Sequence, residues 1–318
     1  MELTKPWQLS DQHGRVMKKL RVQLLDACQM RCTYCMPEKP VFLPKDRLLH
    51  SDEIANIVGN LVSLGITELR VTGGEPLLRP DFQVIIQKLS KLPAASFGVT
   101  TNAALLGKHL DFLKDTPFRH LNISLDSLQE ERFFAITRTH TFKTVLANVL
   151  QARDLGFAVK INTVIMKGVN DDELLDFVRF ASQENLEVRF LEYMKVGPAT
   201  PAFDARFLSA AAMRQIITKE DALVPLPTPN DATARRFESK SGARLGFIAS
   251  ESEPFCGGCS RLRLSATGKL RACLFSEEGI DLRGKHVEEY PEIVKKVITF
   301  KPHNRIVSIE ESMNAIGG

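Results

Sequence analysis

The chain has 318 residues, 44% of them hydrophobic and 25% charged, which suits one large α/β domain with an appendage, or two domains. No run of about 20 apolar residues reads as a membrane span, and the start "MELTKPWQLSDQHGR" lacks an apolar signal core. The expectation is a cytoplasmic protein with no membrane partner. A formal charge of +4 suits an anionic ligand and is too small to argue for nucleic acid.

From about residue 18 to about 194, β-rich runs alternate with segments of helical period. The predicted strands are "KLRVQLL", "ITELRVT", "SFGVTT", "HLNISL", "AVKINTVI" and "LEVRFLEYM". In "SDEIANIVGNLVSLG", Ile54, Ile57, Val58, Leu61 and Val62 share a face, Ser51 is placed to cap the start and Gly65 to stop the helix. "NDDELLDFVRFASQEN" repeats the design with Asn170 as N-cap and Glu173 three residues on. Six strand–helix units imply a parallel sheet. A full barrel of eight units takes about 250 residues. The expected fold is therefore α/β, an incomplete (β/α)6 TIM-like barrel, with a doubly wound sheet as the alternative. After Met194 come connectors rich in Pro, Ala and Thr, a short helix "SAAAMRQIITKED" and a strand-like "ARLGFIAS". The expected division is a barrel over 1–200 and a small C-terminal module over 201–318 that closes the barrel's open side.

The six cysteines fall into two triads. Cys28, Cys32 and Cys35 have the spacing C-x3-C-x2-C and follow the first predicted strand, where barrel active sites are built. In a reducing compartment such spacing reads as metal or redox ligation. Three thiolates can hold three irons of a cubane cluster and leave the fourth iron open to a small molecule. A three-cysteine zinc site borrowing a distant histidine is the alternative. Cys256, Cys259 and Cys273 form C-x2-C-x13-C, for which a structural zinc with His286 is the alternative. At "VTGGEP" (71–76), paired glycines allow close approach of a ligand, and Glu75 is suited to accept hydrogen bonds from an ammonium group.

The first triad, with Tyr34 before its last cysteine, and "VTGGEP" resemble the signature of radical S-adenosylmethionine (SAM) enzymes, in which a cluster splits SAM into methionine and a 5′-deoxyadenosyl radical. That resemblance implies a SAM pocket of Tyr34, Gly74, Glu75, Ser124, Asn162 and Met194. The two triads, "CSRLRLSATGKLRACLF" and the terminal Gly317-Gly318 resemble the MoaA family, the GTP 3′,8-cyclases of molybdenum cofactor biosynthesis, over nearly the whole chain. The resemblance implies two 4Fe–4S clusters, SAM, and GTP whose guanine meets the second cluster. It implies a lyase-type radical reaction giving (8S)-3′,8-cyclo-7,8-dihydroguanosine 5′-triphosphate, with no acid or base residue assigned. It further implies an electron donor of flavodoxin or ferredoxin type, a downstream cyclic pyranopterin monophosphate synthase, a homodimer, and a Gly-Gly tail that enters the active site. A radical SAM enzyme with an auxiliary cluster acting on a peptide or another nucleotide is the alternative.

Arg21, Arg70, Lys160 and Arg189 lie in four different predicted strands among apolar neighbours. Buried cations need an anionic partner, and with no P-loop in the chain a triphosphate would be held by side chains. Arg261 and Arg263 would face the same way on a strand. The family likeness gives Arg21, Arg70, Thr100, Lys160, Arg261 and Arg263 to GTP. The chain departs from the family pattern at Leu25, where threonine is usual, at Gln29 for asparagine, and at Ala103 for glycine.

Overall fold

Strand alternation divides the charged residues from the core. In β1 (Lys19–Gln23), Leu20 and Val22 are buried in the main hydrophobic core, while Lys19 and Arg21 alternate to the opposite face. The computed structural model, which describes residues 9–317, repeats this in β2 (Glu68–Thr72), β3 (Ser96–Thr101), β4 (His120–Ser124), β5 (Ala158–Ile165) and β6 (Glu187–Glu192). These strands pair side by side in parallel, in sequence order. Parallel neighbours need crossover connections. Helices α1 (Ser51–Ser63), α2 (Phe82–Leu89), α3 (Leu110–Leu113), α4 (Glu130–Thr137), α5 (Phe142–Asp154) and α6 (Leu174–Gln183) provide them.

The C-terminal part contributes α7 (Phe203–Arg206), α8 (Ala210–Thr218), β7 (Leu223–Pro225), β8 (Arg235–Ser239), β9 (Arg244–Ile248), β10 (Arg261–Leu264), β11 (Lys269–Arg271), β12 (Gly279–Asp281) and α9 (Tyr290–Thr299). It does not form a sheet of its own. Strand β10 pairs in parallel with β1, and β9 in parallel with β6, so the barrel sheet grows at both edges. Among the described residues the sheet has twelve strands in the order β12-β11-β10-β1-β2-β3-β4-β5-β6-β9-β8-β7. The central eight are parallel, the outer pairs are antiparallel, and β9 and β10 do not pair with each other. The result is an open α/β barrel. Helix α9 is part of it, because Val294, Val297 and Ile298 share one core cluster with Leu20 and Val22.

Two predicted caps differ. Ser51 is the first residue of α1, and the cap position is His50, whose backbone N–H donates to Glu53 at 2.7 Å. Asn170 precedes a short 3-10 turn, and its side chain accepts from the Met166 N–H and donates to the carbonyls of Asp126 and Val164. That amide pins the turn after β5 instead of capping a helix.

Candidate active site

Because alternate residues share a face, the register of the sheet brings distant positions together. Arg21 stands beside Arg70 on one side and Arg263 on the other. Thr100 adjoins Asn122, Asn122 adjoins Lys160, Ser124 adjoins Asn162, and Asn162 adjoins Arg189. One cavity opens above this layer, and all six cysteines line it.

The first triad sits on the loop after β1. Thiols there are far from ionised in the bare protein: burial and the Glu75 carboxylate push Cys28 up to about 11, and burial pushes Cys35 up to about 12. Such thiols become good ligands only when a cation replaces the proton. Among the described residues, no three His, Cys, Asp or Glu side chains crowd closely enough to share one ion. A cubane places each cysteine on a different iron, so its sulfurs stand farther apart than those around a single zinc. His286 does not line the cavity; its backbone N–H donates to Glu289 at the start of the 3-10 turn Val287–Glu289.

The Gly-Gly turn after β2 holds that loop down. A Cβ on Gly74 would lie 2.3 Å from the carbonyl oxygens of Asp26 and Ala27, so only glycine permits the approach. Gly74 lines the cavity. Glu75 lies outside its lining. Its carboxylate is fully buried and accepts from Thr101 Oγ1 (2.7 Å), the Asn102 N–H (2.7 Å) and the Leu77 N–H (3.0 Å). Burial pushes its carboxyl up to about 7 against those bonds. Glu75 therefore joins the β2 and β3 ends, with three of a carboxylate's roughly four acceptor positions taken by internal donors.

Tyr34, Ser124, Asn162 and Met194 all line the cavity. The Tyr34 hydroxyl donates to Asp126 Oδ2 at 2.7 Å. Asn162 Oδ1 is buried with no hydrogen-bond partner, as is Arg261 Nη1. Orphaned buried polar atoms are costly. These two mark where ligand donors and acceptors fit.

The cations split into two layers. Arg21, Arg189, Arg261 and Arg263 line the cavity, as does Thr100; Arg70 and Lys160 lie outside its lining, among the strands. Glu187 accounts for part of the charge: it bonds Arg189 Nε at 2.6 Å and reaches Lys160 Nζ at 3.5 Å. Two of the four cations thus find the anionic partner they need within the chain. Arg21 and Arg70 form no salt bridge with a carboxylate of the described residues. Burial and the neighbouring arginines hold Arg21 far below the usual guanidinium range; burial and Arg189 hold Arg70 at about 10.

The chain's end completes the cavity. Met313 and Asn314 line it, Gln23 Nε2 donates to the carbonyls of Asn314 (2.9 Å) and Ala315 (3.2 Å), and Arg263 Nη1 donates to that of Gly317 (2.7 Å). Gly318 lies outside the described residues.

The family model for the Radical SAM superfamily matches residues 22–181, and that for Molybdenum Cofactor Synthesis C matches residues 186–305. A GTP 3′,8-cyclase of Synechocystis sp. is 42% identical over 310 residues, covering 98% of this chain and 95% of the relative. The chain belongs to the GTP 3′,8-cyclase family, within the radical SAM superfamily. Another cyclase of this family, from Aquifex aeolicus, is 41% identical over 279 residues, covering 86% of this chain and 87% of its own. The crystal structure of Streptococcus suis SuiB bound to S-adenosylmethionine is similar in fold, with a TM-score of 0.63 at 14% identity over 87% of this chain and 67% of that one.

Two site residues, Asp126 and Lys301, went unread in the sequence, and two others, Arg189 and Gln29, were read without a site role. Asp126 receives Tyr34 and the Val164 N–H. Arg189 lines the cavity, and Gln29 Nε2, one of the departures, donates to Asn102 Oδ1 at 3.0 Å beside Cys28. Lys301 is buried against the second triad; burial would raise the Cys259 thiol, but Arg261 and Lys301 outweigh it and hold that thiol at about 7. Asp126 ends "NISLD", so its place after a polar strand was a usable signal. Lys301 carried none.

Proposed function

We propose that this chain is a radical SAM GTP 3′,8-cyclase, a lyase of molybdenum cofactor biosynthesis. The observation that carries the reading is the one cavity between two cysteine triads, with a layer of arginines against it. Members of the family use SAM and two 4Fe–4S clusters. Cys28, Cys32 and Cys35 would hold one cluster and Cys256, Cys259 and Cys273 the other, supplying one-electron cleavage of SAM and an open iron for guanine. The proposed reaction takes the ribose 3′ hydrogen of GTP and bonds C3′ to guanine C8.

The chain's own residues bind and orient. Arg21, Arg189, Arg261 and Arg263 reach the cavity, while Arg70 pairs with Arg21 and Lys160 with Glu187 in the register of the sheet. A triphosphate would offset the mutual repulsion of these cations. Asn162, Ser124 and Met194 would contact SAM, with Gly74 pressing the cluster loop into place. Glu75 serves from behind. Tail residues 313–317 close the cavity against water and so protect a reactive intermediate. Among the described residues no helix is long and apolar enough to cross a membrane. A cytoplasmic setting, a flavodoxin- or ferredoxin-type donor, a following cyclic pyranopterin monophosphate synthase and a homodimer belong to the same reading.

The test is an anaerobic assay with reconstituted protein, SAM, GTP and a reductant. The expected result is 5′-deoxyadenosine and cyclised nucleotide in similar amounts. Deoxyadenosine without any nucleotide product from GTP would overturn the substrate assignment.

A further inference from the structure

The second triad is gripped by two buried cations. Lys301, just past α9, is 5% exposed and makes no salt bridge with a carboxylate of the described residues. Its Nζ donates to the carbonyls of Arg261 (2.7 Å) and Ala272 (2.8 Å), and the Cys259 thiol stands beside the ammonium. Arg261 lies two residues after Cys259 and Ala272 lies immediately before Cys273, so one side chain spans both cysteine-bearing segments. Arg15 takes the remaining one. Its Nη1 donates to the carbonyls of Cys256 (2.8 Å) and Pro302 (2.9 Å), and its Nη2 to that of Lys301 (3.2 Å). Asp11 fixes the guanidinium through Nε at 2.6 Å. Every cysteine of the triad, or a close neighbour of it in the chain, is bonded to one of the two side chains, and the Arg15 guanidinium also holds the Lys301 main-chain carbonyl.

Local folding explains Arg15, whose carboxylate partner is four residues away. It does not explain an ammonium buried beside a thiol with no carboxylate. Such a charge is offset only when the thiols are ionised, as they are on a metal cluster. Resting on the function proposed above, we propose that Lys301 and Arg15 are positioning residues of the second cluster: together they fix its three cysteines, and the Lys301 ammonium offsets the thiolate charge at Cys259. A cation and an N–H donor at a ligating sulfur favour the reduced, more negative state of a cluster, and so raise its reduction potential.

The experiment uses the full chain with Cys28, Cys32 and Cys35 changed to alanine, so that only the second site binds iron. After anaerobic reconstitution, iron content and the potential from an EPR-monitored redox titration are compared for this background, Lys301→Met and Lys301→Arg. The expected result is a more negative potential, or at least a halved iron content, in Lys301→Met, with Lys301→Arg near the background. An unchanged potential and iron content in Lys301→Met, or equal shifts in both variants, overturns the proposal. Arg15→Lys supplies a second line that keeps the charge but loses the fork. It should lose iron to a chelator about tenfold faster, and an unchanged rate counts against the clasp. A background protein that takes up zinc and no cluster overturns the cluster assignment itself, and this inference with it.

Discussion

Arg263 Nη1 donates a 2.7 Å hydrogen bond to the carbonyl of Gly317, so a cation assigned to the substrate also holds the end of the chain. Gly317 has φ +68°, and a Cβ there would stand 3.0 Å from Gln23 Cβ. An L-residue in the left-handed region costs roughly 1–2 kcal/mol, so Gly317→Ala should displace the tail and free Arg263. The expected outcome is about a tenfold fall in cyclised product, since 1.36 kcal/mol is a factor of ten. Deoxyadenosine should then be made in excess. An unchanged ratio of the two products would show that the tail is idle.

The same backbone argument applies at Ala103, with the opposite sign. Ala103 is fully buried at φ 60°, in the left-handed region that favours glycine. Its N–H is held by Thr101 Oγ1 at 3.0 Å, and its carbonyl accepts from Asn148 Nδ2 at 2.7 Å, so the turn cannot relax. Ala103→Gly should stabilise the protein by about 1 kcal/mol, the left-handed penalty less the added chain entropy of glycine. Thermal unfolding of the apoprotein checks it; a lower Tm would mean that the lost methyl packing outweighs the strain.

Arg70 and Lys160 were read in the sequence as equivalent, and the structure separates them. Arg189 repels both, but Lys160 has Glu187 at 3.5 Å, whereas Arg70 forms no salt bridge with a carboxylate of the described residues. Arg70→Met should therefore raise the Tm of the ligand-free protein while weakening GTP binding roughly tenfold to hundredfold, the range for a bond to a charged group of ~1.5–3 kcal/mol. Lys160→Met should weaken GTP binding less and lower the Tm, because it strips one partner from a buried carboxylate. Calorimetric binding and thermal melts of both variants decide the matter. Equal effects would remove Glu187 from the account.

What the sequence disclosed was local. The six barrel strands announced themselves because polar and apolar residues alternate, as in "AVKINTVI", and the cysteines by spacing. The pairing of β9 with β6 and β10 with β1 was hidden, because nothing in "ARLGFIAS" or "RLRL" names a partner strand dozens of residues away. Glu75 looked free beside a Gly-Gly turn, yet two of its three donors, Thr101 and Asn102, come from the next strand end. Lys301 was illegible for the same reason: its acceptors are main-chain carbonyls 40 and 29 residues away.

Glu187 also sets an acid limit. Burial would raise its carboxyl, but Arg189 and Lys160 outweigh burial and hold it below the usual glutamate range. A depressed carboxylate stabilises the fold above its unfolded pKa, near ~4.3, and loses that contribution as pH falls through the folded value. The Tm of the apoprotein should drop between about pH 5 and about pH 3, and Glu187→Gln should flatten this slope while lowering the Tm at neutral pH. Parallel curves for the two proteins would show that other carboxylates set the limit.

The second triad separates a nucleotide cyclase from a generic radical SAM protein. On the proposed function, SAM cleavage would need the first cluster site and an electron, whereas substrate placement would need Cys256, Cys259 and Cys273, which line the same cavity. Cys273 joins the two halves of this arrangement: it follows Ala272, whose carbonyl Lys301 holds at 2.8 Å, and its sulfur accepts from the Phe275 N–H at 3.4 Å. Cys273→Ala should leave the first site able to load iron and to cleave some SAM. It should lose the cyclised nucleotide almost completely, because a reacting group misplaced by about 1 Å can cost a hundredfold in rate. Both products are measured in the same anaerobic assay. Near-parent yields of cyclised GTP from Cys273→Ala, or zinc in the parent's second site, would reduce this triad to a structural clip.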